Sequence, residues 1–223
     1  MVEKIIGFHL ERKLLIQALS KGTKTSVPGI DEAGRGPLAG PVVAAAVLFP
    51  KNWIEEDSFQ NQELSDLNDS KKLSERNRER LFGFLTTHAD IRFSIGIVEA
   101  SEIDKVNILE ATKIAMKSAL DGLMVENYIA LVDGLPLKPS PFIHESVIKG
   151  DSKSYTIAAA SIIAKVTRDR IMEQADKDYP GYGFGKHKGY GTKEHLEALK
   201  RFGPTPLHRH SFAPLRQEQL EMF

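Results

Sequence analysis

The pattern of apolar residues predicts an α/β fold, a mixed β-sheet flanked by helices with a small helical region at the C-terminus. Three observations carry this. A short strand-like segment at 28–31 and the apolar run from Val42 to Phe49 come early in the chain. Strand and helix signals then alternate. Residues 155–175, alanine-rich at their start and free of glycine and proline, give the strongest helix signal.

The elements follow in order. Ile5, Ile6, Leu10, Leu14, Leu15 and Leu19 recur with a helical period that stops near Gly22. Asp31 and Glu32 end the first strand, a turn-rich Gly34–Gly40 segment follows, and 42–49 is a buried strand. Residues 54–70 are polar and loop-like, and Ser74 starts a helix through Leu85. Ile91, Phe93, Ile95 and Ile97 alternate as in a half-buried strand. Ser101 and Asp104 form a capping box for a helix carrying Ile108 to Leu123. Tyr128–Val132 is a strand ending at Asp133-Gly134, and 142–148 is another. A glycine-rich loop to Gly191 and a last helix over 192–202 precede a proline-broken tail. The expected division is an N-terminal helical extension (1–26), a catalytic domain (27–178) and a C-terminal helical substrate-binding region and tail (179–223).

Composition removes several function classes. With no cysteine among 223 residues, disulfides, thiolate metal sites and cysteine nucleophiles are excluded. Thirty basic and thirty acidic residues cancel, so any nucleic-acid footprint must be local. Residues 186–216 are the basic stretch, read either as such a footprint or as a solvated face. His187, His195, His208 and His210 lack a compact ligand spacing, so phosphate contact or surface exposure is expected of them. No apolar run reaches the roughly 18–20 residues of a membrane span, and no leader pattern opens the chain. A cytoplasmic protein without a membrane partner, and a monomer, is the expectation.

Four acids stand where such a fold presents chemistry: Asp31 and Glu32 on an early strand, Asp133 at a strand end, and Asp151 before the long helix. Clustered carboxylates repel and are costly to bury, which points to a cation. Mg²⁺ or Mn²⁺ suits oxygen ligands, and two such ions can activate water and stabilise a leaving oxygen at a phosphodiester. Neighbours on a strand point to opposite faces, so Asp31 and Glu32 converge only if the chain twists or one is presented at an edge. Each acid could alternatively cap a helix or pair with a base.

Gly29-Ile30-Asp31-Glu32-Ala33-Gly34-Arg35-Gly36-Pro37-Leu38-Ala39-Gly40-Pro41 closely resembles the opening motif of bacterial ribonuclease HII. Asn68 to Ser74, Val132-Asp133-Gly134, Lys149 to Ser152 with Ala158 to Ser161, and Gly181 to Thr192 resemble its later motifs, in the same order. The resemblance implies an RNase H-like fold and an endonuclease that cuts the RNA strand of RNA·DNA hybrids, including single ribonucleotides in duplex DNA at RNA-to-DNA junctions. The products would be 5′-phosphate and 3′-hydroxyl ends. It implies Asp31, Glu32, Asp133 and Asp151 as catalytic, metal-holding acids, with two Mg²⁺ or Mn²⁺ ions when substrate is bound.

The same resemblance makes Gly34, Arg35 and Gly36 the loop that recognises the ribonucleotide, where glycines admit close backbone approach to a 2′-hydroxyl. Tyr190 would pack against the nucleotide at the junction, and Lys71 and Lys72 would contact phosphate. A packed tyrosine and a solvated helix start are the alternatives. Asp169, between arginines, is expected to be a salt-bridged surface acid, and Ser161 and Lys165, one turn apart, either face the site or pack. Gln219, Leu220, Glu221, Met222 and Phe223 resemble a peptide that docks on the bacterial sliding clamp, a tail folded back on the protein being the other reading. A ribonuclease HIII-like nuclease is the competing enzyme, although it usually carries an N-terminal substrate-binding domain that the 28 residues before Gly29 are too few to supply. A hybrid-binding module that does not cut would make the acids dispensable.

Overall fold

The computed structural model describes residues 6–56, 64, 66–67 and 73–216. Five strands form one sheet in the order β3-β2-β1-β4-β5. They are β1 (Gly29–Ala33), β2 (Val42–Leu48), β3 (Arg92–Val98), β4 (Ala130–Asp133) and β5 (His144–Val147). The hairpin-like β1-β2-β3 half is antiparallel, whereas β4 runs parallel to β1 and β5 parallel to β4. Strand β2 is an unbroken apolar run because both of its faces are covered.

Eight α-helices are described: α1 (His9–Ser20), α2 (Lys51–Glu55), α3 (Glu75–Thr87), α4 (Ala100–Val106), α5 (Ile108–Gly122), α6 (Tyr155–Asp178), α7 (Phe184–His187) and α8 (Lys193–Phe202). Helix α6 packs on β1 and β2, and α5 covers β3 and β2 from the opposite side. Gly96 makes the second contact close, since a Cβ there would stand 2.0 Å from the Ala115 carbonyl oxygen. On β3 the expected inward residue Ile97 is 44% exposed, while Gly96 and Val98 are buried under α5. It is the edge strand of the sheet, and its Phe93 and Ile95 are only partly buried.

The N-terminal helix joins the main core through Leu14 and Leu15. Its Glu11 is fully buried at the start of α6, where one carboxylate oxygen accepts from Ser154 Oγ (2.6 Å), Thr156 Oγ1 (2.8 Å) and Thr156 N (3.2 Å). A carboxylate at a helix N-terminus satisfies donors that have no partner within the helix and meets the positive end of the dipole.

Three expectations need correction. The helix anticipated from Ser101 to Leu123 is two, because Asn107 adopts φ +70° and its side chain caps α5 by accepting from Leu109 N (2.9 Å) and Glu110 N (3.2 Å). Ser101 and Asp104 form no capping box. Glu99 stands at the N-cap of α4, and Asp104 instead accepts from His210 N and Ser211 N, both at 2.9 Å. Two short helices, α2 and α7, occupy segments expected to be irregular or left unassigned. Helices of four or five residues carry too little periodicity to stand out from a loop.

Candidate active site

The paired ladder of β1 and β4 runs to Ile30 opposite Val132, so the next residues lie side by side where the parallel ladder ends, Asp31 in the middle of β1 and Asp133 at the carboxyl end of β4. Such ends are where open α/β sheets present their chemistry. A cleft of about 410 Å³ opens there, lined by Asp31, Glu32 and Asp133, by the Gly34–Gly36 loop, and by Ser161 and Tyr190. Asp31 and Glu32 both line the cleft although strand alternation would set neighbours on opposite faces. Asp31 Oδ1 accepts from the Glu32 amide at 2.8 Å, and Glu32 reaches Arg35 Nη1 at 3.3 Å.

Asp31 is 5% exposed. Burial, then the charges of Glu32 and Asp133, hold its carboxyl well above the usual aspartate range, against the lowering effect of hydrogen bonds from Ser161 and the Glu32 amide. Asp133 accepts from Gly150 N at 2.6 Å, which ties β4 to the 3₁₀ turn Gly150–Ser152. Asp151 is buried in that turn and is not among the residues that line the cleft. The structure therefore brings three of the four anticipated acids together and puts the fourth directly after the glycine whose amide bonds Asp133.

This donor set fits a hard divalent cation: oxygen ligands only, gathered like charges, and a carboxylate whose ionisation is opposed by its surroundings. Among the described residues no three acids or histidines form a ready-made cage. Mg²⁺ characteristically takes one or two carboxylates and completes its shell with water and substrate phosphate, so a closed cage is not a requirement.

Cations rim the acids. Arg35, Arg78, Lys165 and Arg168 all line the cleft. Lys165 and Ser161 face it together, which settles the alternative left by their spacing. Asp169 is ion-paired as anticipated, to Lys165 at 2.6 Å, whereas Arg170 pairs with Glu79 and Arg168 is buried. Sequence reasoning missed Arg78 and Arg168. Ser161, Lys165 and Arg168 stand at i, i+4 and i+7, a one-face spacing that could have found Arg168; Arg78 had no comparable signal. Lys71, Lys72 and residues 219–223 lie outside the described residues.

The Gly34–Gly36 loop is locked in place from both sides. Gly34 has φ +97°, and a Cβ there would meet Arg168 Nε at 2.1 Å. Tyr190, 47% exposed, stands with its ring edge near Gly36, since a Cβ on Gly36 would lie 3.7 Å from Tyr190 Cε1. Leu38 N donates to Gly189 O and Arg209 N to Leu38 O, both at 2.8 Å, so residues 34–41 run between the tyrosine loop and the C-terminal segment.

The basic stretch 186–216 is no continuous solvated face. His187, His195, His208 and Arg209 are buried, and Lys186 and Lys188 pair with Glu194 and Glu173. The expectation of phosphate contact or exposure fails for those three histidines, because their rings pack against one another and Phe184 in the core of the C-terminal region. Burial, followed by the charge of His195, pushes His208 down to about 4; burial, followed by Arg168, pushes Arg209 down to about 9.

Comparison with known proteins identifies the family. The family model described as Ribonuclease HII matches residues 28–215. A ribonuclease HII of Acetivibrio thermocellus is 54% identical over 211 residues, covering 94% of this chain and 78% of that protein. Among solved structures, ribonuclease H2 from Pyrococcus horikoshii superposes with a TM-score of 0.70 at 28% identity, over 88% of this chain and 98% of that one. Ribonuclease HII from Archaeoglobus fulgidus, solved as a complex with PCNA, gives 0.67 at 28% identity, over 89% and 100%. With the family model spanning both the acidic cleft and the loops around it, the chain belongs to the ribonuclease HII family.

Proposed function

We propose that this ribonuclease hydrolyses the RNA strand of RNA·DNA hybrids, including single ribonucleotides embedded in duplex DNA at RNA-to-DNA junctions, and leaves 5′-phosphate and 3′-hydroxyl ends. The observation that carries the reading is a trio of carboxylates, Asp31, Glu32 and Asp133, in a cleft lined also by the cationic side chains of Arg35, Arg78 and Lys165. An acidic centre inside a basic rim suits a phosphodiester whose backbone is gripped while one linkage is cut.

Asp31, Glu32, Asp133 and Asp151 would hold two Mg²⁺ or Mn²⁺ ions with substrate bound. Such ions supply a water nucleophile at neutral pH and neutralise charge on the leaving oxygen. The chain's own contribution is placement. Arg35, Arg78 and Lys165 offer charge to the phosphates, and Lys71 and Lys72 belong to the same proposed set. Gly34, Arg35 and Gly36 bring backbone close to the sugar, where a 2′-hydroxyl can both donate and accept. Tyr190, half exposed beside that loop, offers a ring face to the nucleotide.

The decisive variant is Asp133→Asn, which keeps the shape and the bond from Gly150 but removes a charge. Metal-dependent cleavage is expected to fall by about 10³-fold or more while hybrid binding is largely kept. Near-wild-type turnover by that variant would remove the reading.

The terminal Gln219, Leu220, Glu221, Met222 and Phe223 are proposed to dock on a sliding clamp, and the PCNA complex of the Archaeoglobus relative supports a partner of this kind. Deleting the five residues should abolish association with the clamp and leave cleavage of a short duplex intact; unchanged association rules the idea out. No helix among the described residues is long and apolar enough to cross a membrane.

A further inference from the structure

The loop proposed to read the ribonucleotide is held from behind by a charge that the site itself does not use. Arg209 is wholly buried and comes from the irregular segment after α8. Its Nη2 donates to Gly34 O (2.6 Å) and Gly40 O (2.8 Å), its Nη1 to Arg35 O (3.1 Å), and its Nε to Gly40 O (3.0 Å). Every one of these acceptors is a backbone carbonyl of the 34–41 loop. A buried guanidinium whose hydrogen bonds all go to carbonyls, with one further contact to the Phe212 ring at 5.1 Å, is an expensive way to fill space, because an apolar side chain of that volume incurs no desolvation of charge. Packing therefore does not account for it.

Geometry does. In a planar trans peptide the carbonyl and the amide of one unit point in opposite directions. When the carbonyls of Gly34 and Arg35 turn to Arg209, the amides of Arg35 and Gly36 are turned away from it, in a loop that lines the acidic cleft. Consecutive amides on one side of a loop make a site for an anion or a hydroxyl oxygen. Only a planar fork reaches both carbonyls and Gly40 at once; a lysine has a single nitrogen on a flexible stem. Asp104 steadies the arrangement from outside the cleft, accepting from His210 N, Ser211 N and Ser211 Oγ directly after Arg209.

We propose that Arg209 is a positioning residue for substrate discrimination, fixing the Gly34–Gly36 loop so that the Arg35 and Gly36 amides meet the sugar and phosphate at an RNA-to-DNA junction. The proposal rests on the junction reading given above. It is tested by measuring kcat/KM for wild type and Arg209→Lys with Mg²⁺ on two substrates, a DNA duplex holding one ribonucleotide and an all-RNA strand on DNA. Arg209→Lys should lose about 30-fold or more on the first and no more than about 5-fold on the second, where many ribonucleotides offer alternative registers. Equal losses on both, or no loss, overturns the proposal. If Arg209→Lys does not fold, as read by circular dichroism, Asp104→Ala takes its place and must shift the same ratio in the same direction by about threefold; an unchanged ratio overturns the proposal. If the wild-type enzyme cuts both substrates equally well, the junction reading fails separately. The positioning role of Arg209 is then judged on the hybrid alone, where a loss of about tenfold or more for Arg209→Lys at an unchanged melting temperature supports it and a smaller one overturns it.

Discussion

A carboxylate that is buried and flanked by two others is kept there at a cost to the fold, and Asp31 is in that position. Its hydrogen bonds from the Glu32 amide and Ser161 offset only part of the burial and repulsion. Sites of this kind exchange stability for function. Asp31→Asn keeps an oxygen for the Glu32 amide and removes the charge, so in the absence of divalent ions the variant should be more stable than the wild type by about 1–2 kcal/mol. For a chain of this length that raises the melting temperature by roughly 2–8 °C. Cleavage should be lost at the same time. A melting temperature in EDTA that stays level or drops would show that the carboxylates do not strain one another. The acids themselves were legible in the sequence because each sits in a short motif beside glycines at a strand end or turn. Arg209 was not: its role comes from reaching carbonyls 169 to 175 positions away, and one-dimensional spacing carries no trace of that.

At the scale of elements, what could be read was set by length and period. The strands β1, β2, β4 and β5 and the helices α1, α3, α6 and α8 match their expected places, because each has an apolar pattern or a capping residue of its own, such as Ser74 before α3 and Thr192 before α8. The break between α4 and α5 was hidden. Asn107 leaves the helical region at φ +70° and ψ 165°, a conformation costly for any residue but glycine, and its side-chain cap of α5 holds it there. The apparent capping box failed for a tertiary reason: Asp104 serves a turn more than a hundred residues away, and a carboxylate committed to two backbone amides and a hydroxyl there cannot also close its own helix. The N-terminal helix shows the same principle in reverse. Its periodicity was plain, whereas Glu11, read as one charge among several, is the group that completes the start of α6. Since α6 supplies Ser161, Lys165 and Arg168 to the cleft, the placement of α1 bears on the site at one remove.

For the molecule as a whole, the stacked histidines of the C-terminal region make stability depend on pH in a direction that can be worked out. Thr205 N donates to His208 Nδ1 at 2.8 Å, which leaves Nε2 as the protonated nitrogen that donates to His195 Nε2 at 3.0 Å. His195 then has its proton on Nδ1, for the Tyr190 carbonyl at 2.9 Å. Both rings are neutral in this chain of bonds, and His187 stacks on His195 at 4.5 Å, so a proton added to His208 would face the Thr205 amide and its histidine neighbours. His208 titrates near 6.5 when unfolded and at about 4 when folded. Between those values the unfolded chain binds more protons, and stability falls as pH falls. Going from pH 7 to pH 5, His208 alone should cost roughly 2 kcal/mol, or roughly 4–8 °C in melting temperature. His195, also shifted down by burial, acts in the same sense. Asp31 and Glu11, whose carboxyls are shifted up, act in the opposite sense, their stabilising protonated forms being lost as pH rises. The histidine contribution is therefore isolated by difference. Thermal unfolding followed by circular dichroism across pH 5–7.5 should show a steeper fall for the wild type than for His208→Gln, whose amide can still accept from Thr205 and donate to His195 without titrating. Parallel curves for the two proteins would mean that the histidine stack carries protons equally well in both states.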